Sequence, residues 1–121
     1  MPRLEVEGVG AVDVEDGKRL VLALEEDAGV DILHRCGAYA KCTTCRVEYL
    51  DGEPEKMTRA ELDVLEKRDL LGRARLSCQA VCDHEMKVRV LLTVTSSGLD
   101  DPGKKPESEI TPEPEWVDRP V

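Results

Sequence analysis

Apolar and polar residues alternate at period two from Arg3 to Glu7 (Leu4, Val6) and again from Ala11 to Glu15 (Val12, Val14), with Gly8 and Gly10 between the two runs. Alternation of this kind marks strands with one buried face, and the intervening glycines predict a hairpin. Asp16-Gly17 ends the second strand. From Lys18 to Ala28 the spacing lengthens to four residues, with Leu20, Leu24 and Ala28 aligned and Ala23 beside them. Gly29 follows as a C-terminal stop, which predicts a helix. Arg35 to Cys45 keeps no period and reads as a loop, whereas Arg46 to Leu50 alternates again through Val47 and Tyr49 before the turn residues Asp51-Gly52. Thr58 with Glu61 three residues on has the form of a capping box and opens a second helix carrying Leu62, Val64 and Leu65 on one side. Lys87 to Leu92 supplies a closing strand through Val88, Val90 and Leu92.

Two strands, a helix, a loop, a strand, a short helix and a last strand predict an α+β domain, a mixed sheet packed on one main helix, over residues 1–95. Residues 96–121 hold five of the seven prolines and seven acidic against three basic residues. That composition predicts an acidic Pro-rich tail, extended or disordered. A chain of 121 residues has no room for a second catalytic domain. With no Phe, two Tyr and one Trp, the core must be aliphatic.

A net charge of −9 and a pI near 4.7 argue against nucleic acid, whose phosphates need clustered Lys and Arg, and favour a basic protein partner. Met1 to Glu7 lacks the pattern of a signal peptide, and no run of about 18 apolar residues occurs, so the expectation is a cytoplasmic monomer away from membranes. Five cysteines in a reducing compartment are poor material for a disulfide framework. They point to metal or redox chemistry instead.

The cysteine spacing narrows that chemistry. Cys36, Cys42 and Cys45 are separated by five and two residues on one loop, and the remaining thiols, Cys78 and Cys82, lie on a distant segment. A two-iron cluster needs two thiolates per iron, so one wrapping loop can offer three ligands while the fold delivers the fourth. Structural zinc sites more often oppose two local pairs. Gly37, Ala38, Ala40, Thr43 and Thr44 keep the loop free of bulk, so that its backbone can approach bridging sulfides. Arg35, Lys41 and Arg46 flank the thiols, where positive charge favours the more negative reduced state.

Cys42-Thr43-Thr44-Cys45 together with Arg75-Leu76-Ser77-Cys78-Gln79 resembles the [2Fe–2S] ferredoxins of the adrenodoxin and iron–sulfur-assembly branch, and the likeness runs over nearly all of residues 1–95. The resemblance implies a β-grasp fold with a cluster-binding loop and a protein that shuttles single electrons. It implies a [2Fe–2S] cluster held by Cys36 and Cys42 on the outer iron and by Cys45 and Cys78 on the inner one. It thereby selects Cys78 over Cys82, which is left as a small buried thiol or as a rescue ligand that appears only when Cys78 is lost. It also implies redox partners, a ferredoxin reductase on one side and an acceptor oxygenase or assembly enzyme on the other. Their docking site would be an acidic helix after the cluster strand. Asp63 and Glu66 in Glu61-Leu62-Asp63-Val64-Leu65-Glu66 match it best, three apart on one helical face.

Other chemistries fit less well. Cys82-Asp83-His84 has the first half of a Rieske pairing, but no Cys-x-x-His follows. Cys42 and Cys45 form a CxxC without the strand-to-helix setting of dithiol exchange, and a zinc-binding β-grasp module is the non-redox alternative. Ser96, Ser97 and the scattered acids supply no nucleophile, base and orienter set. The expected function is one-electron carriage rather than enzymatic catalysis.

Overall fold

The computed structural model describes residues 2–30, 32, 45–91, 109, 110 and 114–118. Strands β1 (Arg3–Val6) and β2 (Gly10–Asp13) form the expected antiparallel hairpin, with Leu4 opposite Val12. Short β3 (Lys18–Arg19) precedes a single helical stretch, α1 (Leu20–Leu22), which runs into a π-helical turn over Ala23–Asp27. There follow β4 (Arg46–Asp51), β5 (Lys56–Thr58), α2 (Arg59–Lys67), β6 (Arg75–Leu76), a 3-10 turn over Ser77–Gln79, β7 (Val81–Cys82), β8 (Met86–Val90) and β9 (Trp116–Asp118). The main sheet has the order β2-β1-β8-β4-β6. Its central pair, β1 and β8, is parallel, and each is flanked by an antiparallel neighbour. Parallel strands cannot be joined by a tight turn, so the whole chain between β2 and β8 serves as their connection and carries the helices. This mixed sheet with few helices is the α+β, β-grasp arrangement.

Period two holds where the sheet has one wet face. Leu4, Val6, Val47, Met86 and Val88 turn inward and are buried. On the opposite face Lys87 pairs with Glu5, and Arg89 reaches both Glu7 and Glu48. Those exposed pairs each contribute at most about 1 kcal/mol. They keep the outer face wet and so define which side is core. Of the expected closing strand, Leu92 lies outside the described residues.

The first helix begins later than its spacing predicts. Lys18 and Arg19 are extended and pair with Cys82 and Val81, because tertiary pairing with β7 outweighs a two-residue extension of a helix. Leu20, Val21, Leu22, Ala23 and Leu24 are then all buried, so the stretch is enclosed rather than amphipathic. Its end is as expected: Gly29 takes φ +69°, and Ala28 N–H donates to the Ala23 carbonyl. Lys18 Nζ holds Glu26 and Asp27 at 3.0 and 2.7 Å, closing the turn back on its start.

α2 begins at the expected cap, with Thr58 Oγ1 accepting the Glu61 N–H at 3.1 Å. The reciprocal half of the box is diverted. Glu61 is fully buried, and its carboxylate accepts Arg75 Nε–H at 2.9 Å, Arg75 Nη2–H at 3.3 Å and Leu76 N–H at 2.7 Å. Burial pushes the Glu61 carboxyl upward, and Arg75 pulls it back. Arg75 Nη1 donates in addition to Glu53 Oε2 and the Pro54 carbonyl, and Nη2 to the Lys56 carbonyl. A guanidinium has five N–H groups, and these bonds occupy all of them. Its plane also lies 5.8 Å from the centre of the Tyr49 ring. One side chain therefore ties α2, the 53–56 segment, β4 and β6 together. Within the stretch expected to be an extended or disordered tail, β9 pairs antiparallel with β5, Glu115 accepts the Arg59 N–H, and Lys56 bonds Asp118.

Arg75→Met leaves the buried Glu61 carboxylate without its counter-charge and should cost about 3–5 kcal/mol in chemical denaturation, while Arg75→Lys should restore only part because it lacks the planar fork. His84 bridges two acceptors, Asp83 Oδ1 at 2.6 Å and the Gly52 carbonyl at 2.7 Å, so both bonds need the imidazolium. Its pKa is raised from 6.5 by the Gly52 carbonyl first and Asp83 next. The bridge's contribution should be fully present below pH 6.5 and lost as pH rises through the higher folded value. His84→Asn should flatten that slope in thermal melts taken across the range.

Candidate metal centre

Cys45 immediately precedes β4, and β4 is joined to β6 in the register Arg46 opposite Leu76 and Val47 opposite Arg75. One step further along this antiparallel ladder sets Cys45 against Ser77, beside Cys78. The contact is made twice: Ser77 N–H and Ser77 Oγ–H both donate to the Cys45 carbonyl, at 3.1 and 2.8 Å. Strand pairing thus joins the backbones of two cysteine-bearing segments whose cysteines are 33 positions apart in the chain. Both are fully buried.

The surroundings of Cys78 carry positive potential and N–H donors. Arg19, itself fully buried, donates from Nε to the Cys78 carbonyl at 2.7 Å. Gln79 Nε2–H points at Cys78 Sγ from 3.6 Å, and Thr58 Oγ1–H donates to Gln79 Oε1 at 2.7 Å. Two buried soft thiols beside a cation and an amide donor are a donor set suited to iron and sulfide, and water is kept from them. The described half of the site therefore fits a [2Fe–2S] cluster. Cys36 and Cys42, and the flanking Arg35 and Lys41, lie outside the described residues.

The odd thiol has a different setting. Cys82 belongs to β7, paired with Lys18, and burial, followed by the nearby charges of Asp27 and Asp83, pushes its thiol up to about 12. Tyr49, at the edge of the core, is likewise raised by burial. On α2, Asp63 and Glu66 are exposed on the side away from buried Val64 and Leu65, whereas Glu61 has left the acidic face for the interior. Arg46, the remaining flanking cation, is half-buried in β4.

Arg19 and Gln79 are the site residues that spacing alone does not single out. Arg19 sits in a stretch that reads as helix surface, and Gln79 shows only as the residue after the last cysteine of the Arg75-to-Gln79 run. Among the described residues no helix is long and apolar enough to cross a membrane.

Residues 4–83 match the family of 2Fe–2S iron–sulfur cluster binding domains. Terpredoxin from a Pseudomonas species is 34% identical, over 71% of this chain and 90% of that protein. One component of the Na+-translocating NADH-quinone reductase of Methylococcus capsulatus is 33% identical over 70% of this chain, which spans only 20% of that component's length. Among solved structures, an ISC-like [2Fe–2S] ferredoxin from Pseudomonas putida superposes with a TM-score of 0.58 at 26% identity, covering 75% of this chain and 93% of that one. With the fold, the buried cysteines and these relatives in agreement, the chain belongs to the family of 2Fe–2S iron–sulfur cluster binding domains, in its ferredoxin form.

Proposed function

We propose that this chain carries single electrons, in the cytoplasm and as a monomer, from a ferredoxin reductase to an acceptor oxygenase or assembly enzyme, with Cys36, Cys42, Cys45 and Cys78 as the ligands of its cluster. The observation that supports this reading is the β4–β6 pairing, in which two hydrogen bonds from Ser77 to the Cys45 carbonyl hold buried Cys45 against the residue next to buried Cys78. The cluster, when bound, supplies an iron couple that takes up and releases one electron with no bond chemistry on a substrate.

The protein's own part is to hold the thiolates, exclude water and place charge. What supports Cys78 over Cys82 for the fourth position is its place next to Ser77, which bonds the Cys45 carbonyl, and the Gln79 amide N–H directed at its sulfur, whereas Cys82 lies on β7 opposite Lys18. Burial of both described thiols lowers the local dielectric and so strengthens every dipole aimed at them. Asp63 and Glu66 offer the partner a negative face on α2. The buried Glu61–Arg75 pair braces that helix against the strand leading to Cys78. A partner docked there sits on the same rigid unit as the ligand.

Two measurements test this. Anaerobically purified protein should contain two iron and two sulfide per chain and bleach reversibly with dithionite. Cys78→Ser should lose the cluster while Cys82→Ser keeps it, and the reverse result assigns the fourth ligand to Cys82. For docking, Asp63→Asn/Glu66→Gln should raise the KM for a reductase that reduces the wild-type protein by roughly two- to tenfold with kcat unchanged. The effect should shrink at high salt, since the Debye length falls to about 3 Å at 1 M. An unchanged KM at low salt would move the docking face elsewhere.

A further inference from the structure

We propose that Gln79 is a positioning residue that sets the reduction potential of the site, aimed at Cys78 Sγ by the N-cap hydroxyl of α2. The inference rests on the reading of Cys78 as a ligand and adds a part that ligation alone does not include.

The orientation follows from counting donors. Thr58 Oγ1 accepts the Glu61 N–H at 3.1 Å as the helix cap, so its own hydrogen is free to be given away. The atom 2.7 Å from it is Gln79 Oε1, which can only accept. With Oε1 committed to Thr58, the amide must turn Nε2 in the opposite direction, and there it meets Cys78 Sγ at 3.6 Å. A flipped amide would set a carbonyl oxygen against the sulfur and lose the donor there. Thr58, Gln79 and Cys78 are all buried, so water does not compete for any link. The relay therefore runs from the Glu61 backbone through Thr58 and Gln79 to the sulfur.

Its effect has a definite sign. Reduction adds one electron and no proton, so the thiolate sulfurs become more negative while the amide proton stays on Nε2 and no bond breaks. A donor at Sγ stabilises the reduced form more than the oxidised form, which raises the potential. Arg19 acts in the same sense from the Cys78 carbonyl, but it touches the backbone. Gln79 is the described side chain whose donor is aimed at the sulfur itself.

The test is a redox titration of the cluster-loaded protein with dithionite. Gln79→Leu should lower the reduced-to-oxidised ratio at a fixed ambient potential by three- to tenfold, and tenfold is about 59 mV for one electron. The Fe–S(Cys) stretch that shifts when the wild-type cluster is assembled in D2O should lose that shift in the variant. Thr58→Val should lower the ratio by a smaller factor, because the amide is freed to rotate, and Thr58→Ser should leave it at the wild-type value. Gln79→Leu with full iron and sulfide but an unchanged potential would overturn the relay while leaving the ligand assignment intact. Full cluster loading in Cys78→Ser together with none in Cys82→Ser would overturn both. Should Gln79→Leu fail to hold a cluster, the Thr58 pair decides: equal potentials in the Val and Ser variants overturn the proposal.

Discussion

Arg75 and Glu61 form the joint on which the rest of the architecture depends. A buried ion pair stabilises only when the remaining donors and acceptors are satisfied, and here the five guanidinium N–H groups and both carboxylate oxygens all have partners. The bonds fix more than one distance. They set the start of α2, the path of residues 53–56 and the backbone at Leu76, two residues before Cys78. An apolar pair of equal volume would fill the same space without specifying which carbonyls face inward. The charged pair thereby supplies geometry, and the candidate ligand strand inherits that geometry.

Much of the fold was legible because one face of the main sheet is wet. Leu4 and Val6, Val47, and Val88 reveal their strands by alternation with charged neighbours that remain in solvent. The Thr58 cap was equally readable, since its first half is a local bond. Legibility failed where a residue's role is set by a distant segment. Lys18 and Arg19 carry helix-compatible residues, yet β7, more than 60 positions away, holds them extended. Glu61 looked like the second half of a capping box and a member of an acidic face. Its true partner, Arg75, is 14 residues on, and a local pattern cannot tell a cap from a buried ion pair.

The candidate site divides in the same way. Metal or redox chemistry was visible in the spacing of Cys36, Cys42 and Cys45, because a wrapping loop imposes short fixed gaps. The partner from the far segment is a product of the β4–β6 register, and spacing alone could not choose between Cys78 and Cys82. Their environments differ: an amide donor and a buried guanidinium lie beside one, and Lys18, Asp27 and Asp83 lie near the other. Arg19 and Gln79 escape sequence reasoning for a related reason. Both are polar types usually found in solvent, and here both are buried against Cys78.

α2 joins the two requirements of an electron carrier, a surface that a partner can find and an interior that a partner leaves undisturbed. Thr58 and Glu61, at its first turn, point inward to Gln79 and Arg75, whereas Asp63 and Glu66, one turn on, face solvent. Charge that must attract a partner across water is best left exposed, where it acts at long range and costs no desolvation. Dipoles that must act on a sulfur are best buried, where water cannot screen them. Because the buried contacts come from the cap and first turn and the exposed acids from the next, a basic partner can occupy the acidic face without breaking a bond in the interior. On the proposed reading, recognition and redox tuning are carried by adjacent turns of one helix and remain separable, a division that the inward turn of Glu61 makes possible.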